Sequence, residues 1–161
     1  MNQKDDLRGA FGEWRFVRGL TMELLADLSE ADLEYAELPS MGPFWKQFRH
    51  MARVQQDYID AIETAKIAFT TDGKSYSGGA DVSRLKAYLN AQDRRLELIE
   101  TKVAETGSVD EFVVDWFGQE ESLHVHMLRL VAHETLHHGQ IIVYMKALQK
   151  EFPPGWEAWG L

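Results

Sequence analysis

The chain has 161 residues, a formal net charge of −9, 45% hydrophobic residues and no cysteine. That length suits one domain over residues 1–161 with a core that needs no staples, and the missing thiols exclude disulfides, thiolate metal ligands and a cysteine nucleophile. The acidic excess argues against nucleic acid or an anionic membrane as partner.

Met1 to Asp6 is polar and acidic and lacks the apolar core of a signal peptide. No stretch approaches the ~20 apolar residues of a membrane span, so a cytoplasmic protein is expected. The first periodic segment runs from about Asp5 to Leu28, with Leu7, Phe11, Trp14, Thr21, Leu25 and Leu28 at three-four spacing and Arg18 interrupting them. It predicts an amphipathic helix, with Asp5 and Asp6 suited to its positive end. Ser29-Glu30-Ala31-Asp32 has the form of a capping box and predicts a short extra turn. Pro39, Gly42 and Pro43 then break the chain.

A second helix is expected from about Pro43 to Phe69, on the stripe Phe44, Trp45, Phe48, Met51, Ala52, Tyr58, Ile59, Ile62, Ala65 and Phe69. His50 lies well off the centre of that stripe, and periodicity alone makes it a surface histidine. Thr70 to Ala80 carries Asp-Gly, Ser-Gly and Gly-Gly and reads as a loop. A third helix, from about Asp81 to Glu105, has an unbroken seam of Val82, Leu85, Leu89, Gln92, Leu96, Ile99 and Val103 and serves as scaffold, with Gly107 as its stop. Between Ser108 and Glu121, Phe112, Val113, Val114, Trp116 and Phe117 follow no clean period before Gly118, which fits a short hairpin or an ordered crossover.

The last helix is expected from about Ser122 to Lys150. It carries His133-Glu134-Thr135-Leu136-His137-His138-Gly139-Gln140. His133 and His137, four apart, lie on one face, a spacing at which two imidazoles can bind one divalent ion. His126, Gln140 and Tyr144 fall on the same polar seam, beside the apolar stripe Leu123, Met127, Leu130, Ile141, Met145 and Leu148. Phe152-Pro153-Pro154-Gly155 closes the helix, and a tail with Trp156 and Trp159 is expected to pack on the body or on a partner. Four helices with short to medium loops and no strand-helix alternation predict an all-α four-helix bundle.

His133 to His137 also fits H-E-x-x-H, the zinc-protease motif. The extended form of that motif needs a third histidine where Val143 stands, and 24 residues after His137 leave little room for the usual substructure. A closer likeness is to a family. Phe48-Arg49-His50-Met51-Ala52 and His133 to Gln140 resemble the DinB-like (DinB/YfiT-like) superfamily, marked by one histidine in the second helix and His-x-x-x-His in the fourth, running into His/Arg-Gly-Gln. The resemblance covers nearly the whole chain, including helix order, Trp116-Phe117-Gly118 and the Pro-Gly-Trp tail. It implies a bundle that binds one divalent ion, Zn or Ni with Fe or Mn as alternatives, through His50, His133 and His137, with open positions for water or substrate. His126 and Glu134 are candidates to replace or supplement a ligand, and Glu134 could instead orient a ligating histidine. His138 stands where many relatives have arginine, and with Gln140 and Tyr144 it is a candidate for the surroundings of the ion. Gly139 matches a close-packing glycine of the family. The likeness further implies a metal-dependent transferase, isomerase or hydrolase acting on a small molecule, with a low-molecular-weight thiol as cosubstrate. It also implies a homodimer. The competing class is a non-catalytic metal-binding or structural bundle.

Overall fold

The computed structural model describes residues 3–70, 76–106 and 112–161, with side chains from Asp6 onward. Four long helices form the bundle: α1 (Gln3–Ala26), α3 (Trp45–Thr64), α4 (Val82–Thr106) and α5 (Leu123–Ala147). A short α2 (Glu30–Glu34), a hairpin of β1 (Val113–Trp116) and β2 (Gln119–Ser122), and a final 3-10 turn (Pro154–Trp159) complete the chain. The helix α1 packs on α5 and α4, and α3 packs on both α4 and α5.

Local chemistry sets most boundaries. The Ser29 side chain accepts from the Asp32 amide while Asp32 accepts from the Ser29 amide, the reciprocal cap that starts α2. Ser122 caps α5 by accepting from the Val125 amide. α3 ends at Ala65, which takes the left-handed conformation at φ 56°. It therefore stops short of Phe69, contrary to the stripe's reach. After the turn the chain runs beside β1, where the Ile67 amide donates to the Asp115 carbonyl at 3.0 Å and the Asp115 amide donates to that of Ala65 at 2.8 Å. Extended backbone wins there because β1 offers it partners. The stop at Gly107 and the Asp72-Gly73 turn lie outside the described residues.

The irregular stretch is a hairpin, registered from Val113↔Ser122 to Trp116↔Gln119. Its two-residue turn puts Phe117 at φ 53° and Gly118 at φ 93°, the pair of positive φ angles that matches the right-handed twist of the strands. The tail packs on the body. Trp156 is fully buried, and its Nε1 donates to the Leu20 carbonyl at 3.0 Å. Among the described residues no helix is long and apolar enough to cross a membrane.

The core comes in two apolar blocks. One joins Leu24, Leu25, Phe44, Phe48, Leu85, Leu89, Tyr144 and Trp156. The other joins Phe11, Trp14, Tyr58, Ile59, Leu96, Leu123, Met127 and Leu130. Each long helix contributes its first half to one block and its second half to the other. At the changeover it carries a polar side chain inward: Arg18 and Thr21 on α1, Gln55 on α3, Gln92 on α4, Glu134, His137 and His138 on α5. A polar belt thus crosses the middle of the bundle, and the chemistry sits in it.

Candidate metal centre

The helix α5 divides its polar residues between two sides. Toward α3 it turns His133 and His137. His133 Nε2 lies 3.4 Å from His50 Nε2 and 3.3 Å from His137 Nε2. One ligand atom from each of the three rings falls within 4.8 Å of the others, the one group of this kind among the described residues. His50 is half-buried and faces this cluster, because α3 is wedged between α4 and α5 and the flank of its stripe is covered too. This corrects the surface placement drawn from its periodicity, which treats the helix as having one neighbour.

Burial favours the neutral form of all three rings. Burial, followed by repulsion from His137 and then Arg53, pushes His50 down to about 4. Burial, followed by His137 and His50, pushes His133 down to about 4. Burial lowers His137 as well. The tautomer of His137 is set by Gln47, whose Oε1 lies 2.9 Å from Nδ1. Nδ1–H donates to this acceptor, which leaves a lone pair on Nε2 facing the other rings. Arg53 faces His50 at 3.3 Å from Nδ1 and is itself held by Asp57 and the Thr70 carbonyl.

Toward α1 the same helix turns Glu134 and His138. Glu134 meets Arg18 through two hydrogen bonds, Nε to Oε1 at 2.9 Å and Nη2 to Oε2 at 2.7 Å. Arg18 also reaches Gln55 Oε1 at 2.7 Å and Asp93 at 3.2 Å. The Thr21 hydroxyl donates to Glu134 Oε1 at 2.6 Å and accepts from His138 Nε2 at 2.8 Å, while His138 Nδ1 accepts from Trp159 Nε1 at 3.2 Å. Every proton in this chain has one consistent position. Burial alone raises the Glu134 carboxyl, but the Arg18 charge and the hydrogen bonds outweigh it and hold it below the usual range. Burial raises Asp93 against the pull of Arg18.

The other sequence candidates fall apart spatially. Glu134 and His138 turn away from the cluster and make their side-chain hydrogen bonds to Arg18, Thr21 and Trp159. His126 is fully buried one block away, where Nδ1 accepts from Trp116 Nε1 at 3.0 Å and Nε2 donates to the Tyr58 carbonyl at 2.9 Å. Gln140 reaches His137, whose lowered pKa its side chain partly offsets, and with Met41, Gln47, Val143 and Tyr144 it lines a cavity of about 210 Å³. Tyr144 donates to the Gly42 carbonyl at 2.8 Å and not to Gln140. Gly139 is exposed, and a Cβ built on it would meet nothing within 4 Å, so it is not a close-packing glycine here.

Gln47, Arg18 and Thr21 went unrecognised from the sequence. Arg18 read as a defect in an apolar stripe, and Glu134 as part of a histidine motif. Their signal was mutual: one cation and one anion, each intruding on a buried face of a different helix.

A helical bundle with three convergent imidazoles on two facing helices defines a class of all-α protein with a candidate metal-binding group. The chain belongs to the DinB family, whose family model matches residues 1–154. Its structure is similar to the crystal structure of a DinB-like protein from Bacillus cereus ATCC 10987, with a TM-score of 0.68 at 16% identity, over 91% of this chain and 95% of that one. No curated protein matches the sequence.

Proposed function

We propose that His50, His133 and His137 hold one divalent metal ion and that the cleft beside it acts on a small molecule. One observation carries this reading: three ring nitrogens point at each other with no hydrogen between them that satisfies all three. Imidazole nitrogens about 2.0–2.1 Å from a tetrahedral ion stand roughly 3.3–3.4 Å apart. The separations of 3.3 and 3.4 Å are those of two such edges. Ligation by His50 through Nε2 requires the proton on Nδ1 and so displaces the 3.3 Å contact from Arg53.

An ion bound by three imidazoles keeps a coordination position open and supplies a Lewis acid that acidifies a bound water or thiol. Imidazole donors suit Zn and Ni, with Fe or Mn as alternatives. The chain's own residues do the rest. Gln47 fixes the His137 lone pair and also lines the 210 Å³ cavity with Gln140, Met41, Val143 and Tyr144. Two side-chain amides on an apolar wall suit a ligand of small size with one or two hydrogen-bonding groups. We infer a transferase, isomerase or hydrolase reaction, with a low-molecular-weight thiol as the candidate cosubstrate.

The test has two arms. Metal analysis of untagged protein is expected to give one divalent ion per chain, and the absence of bound metal sinks the site. Turnover of thiols with electrophilic substrates, with and without metal, then separates an enzyme from a non-catalytic metal-binding bundle.

A further inference from the structure

Two of the three rings differ in what stands behind them. The far nitrogen of His137 faces an oxygen, with Gln47 Oε1 2.9 Å from Nδ1. The far nitrogen of His50 faces a cation, with Arg53 Nη2 3.3 Å from Nδ1. A guanidinium has donors and no acceptor. The contact is a hydrogen bond only where the imidazole nitrogen carries a lone pair. Nδ1 of His50 is therefore the acceptor, and the proton of the neutral ring sits on Nε2. That Nε2 is the atom turned toward His133, at 3.4 Å. A protonated nitrogen has no lone pair to offer an ion. With Arg53 in place, His137 is set to ligate and His50 is set not to.

Arg53 is built into this position. It stands three residues after His50 and four before Asp57, so the three side chains share one face of α3. Its Nη1 donates to Asp57 Oδ2 at 3.3 Å and to the Thr70 carbonyl. The Asp57 side chain is fully buried, and its Oδ1 accepts from the Thr70 hydroxyl at 3.0 Å. One end of the guanidinium is thus anchored on a buried carboxylate and a backbone carbonyl. The other end reaches His50.

We propose that Arg53 sets the metal affinity of this site by holding His50 in the tautomer that cannot ligate, so that His50 joins an ion only when Arg53 gives up its contact. The inference rests on the metal reading above and concerns how tightly the ion is held. To ligate, His50 moves its proton from Nε2 to Nδ1. The new Nδ1–H then meets the guanidinium donor to donor, and Arg53 turns away. Whatever His50 gains at Nε2 is reduced by the charge-assisted hydrogen bond lost at Nδ1. His133 and His137 present their lone pairs from one helix, and His50 is the conditional third ligand from the other.

Zinc titrations by calorimetry, with a competing chelator, compare the wild type with Arg53→Met and Arg53→Gln. Methionine removes the donor, and glutamine brings a side-chain acceptor in its place. Both variants are expected to bind zinc about 10-fold tighter than the wild type. A merely structural side chain would weaken binding on removal or leave it unchanged. In the wild type, nitrogen-15 NMR is expected to find the His50 proton on Nε2 without zinc and on Nδ1 with it. If neither variant binds zinc tighter, with circular dichroism unchanged, the proposal is overturned and the metal reading stands. A zinc-free wild type with His50 protonated on Nδ1 overturns it too, and that result needs no variant to fold. Zinc taken up by none of the three proteins removes the metal reading and this inference together.

Discussion

Two sides of one helix turn, four residues apart in their parts, solve opposite problems. On the α1 side Glu134 and His138 sit in a closed network: the carboxylate has its arginine, the threonine has its acceptor, and the histidine has one donor and one acceptor. On the α3 side the Nε2 atom of His133 stands 3.4 Å from His50 Nε2 and 3.3 Å from His137 Nε2, and the one proton that His50 brings cannot serve both contacts. In the first arrangement Glu134, Thr21 and His138 have their partners within the protein and Arg18 Nη1 keeps only the Asp93 charge at 3.2 Å; removing a member disturbs a buried charge. The second leaves His137 Nε2 against another ring nitrogen, a contact that the proposed ion would satisfy. A buried polar cluster is thus read as structural or functional by asking whether its hydrogen-bond inventory closes.

The largest expected effect separates the two sides outright. His133→Ala or His137→Ala should lose stoichiometric metal entirely, while unfolding in chelator shifts by no more than about 1 kcal/mol. Wild type should keep its helical circular dichroism in excess chelator, since the two apolar blocks hold the fold; collapse to coil would make the histidine side structural and break the comparison. Wild-type metal content in both variants would remove these residues as ligands.

Next in size is the closed side. Glu134→Leu leaves the buried Arg18 guanidinium with only Asp93 and Gln55 as partners and should destabilise by about 3 kcal/mol in urea at neutral pH. The double change Arg18→Met with Glu134→Leu should recover much of that, because burying the pair in the first place costs desolvation. Metal binding by the double variant should persist.

His126 gives a third comparison, a fully satisfied histidine one block away. Burial pushes it down to about 4 from an ordinary value of 6.5, so the unfolded chain binds its proton more tightly than the folded one. Its contribution is fully present above pH 6.5 and is lost as pH falls toward 4, to a maximum of about 3 kcal/mol. Protonation at Nδ1 also opposes the Trp116 donor. His126→Gln should flatten this part of the stability profile between pH 6.5 and 4; an unchanged slope counts against the assignment.

The smallest expected effect sharpens the open side. Gln47→Leu removes the acceptor that fixes the His137 tautomer and should weaken metal affinity by about 10–100-fold without emptying the site at saturating metal. Titration with Zn by calorimetry checks this; unchanged affinity would mean that His137 is oriented by packing alone.

Among the elements, the bundle was legible because burial imposes a period of 3.6 residues on each long helix, and four such stripes with turn residues between them leave few other folds. The capping box at Ser29 and the paired histidines at 133 and 137 are local patterns, and they survived folding as written. The hairpin was legible as an option only, since β1 and β2 are four residues each and their pairing is a contact between segments.

The tertiary structure alone decided which side of a helix each polar residue serves. His50, Arg18 and Glu134 show why. A helical wheel ranks residues by distance from one buried stripe, but α3 and α5 each touch two neighbours, so their flanks are buried against different helices. Four residues of sequence put His133 beside His137; only the crossing of α3 over α5 brings His50 to them, and only the packing of α1 gives Glu134 a partner 116 residues away. The sequence by itself determined the residue types and their local spacing. Convergence across helices is a property of packing.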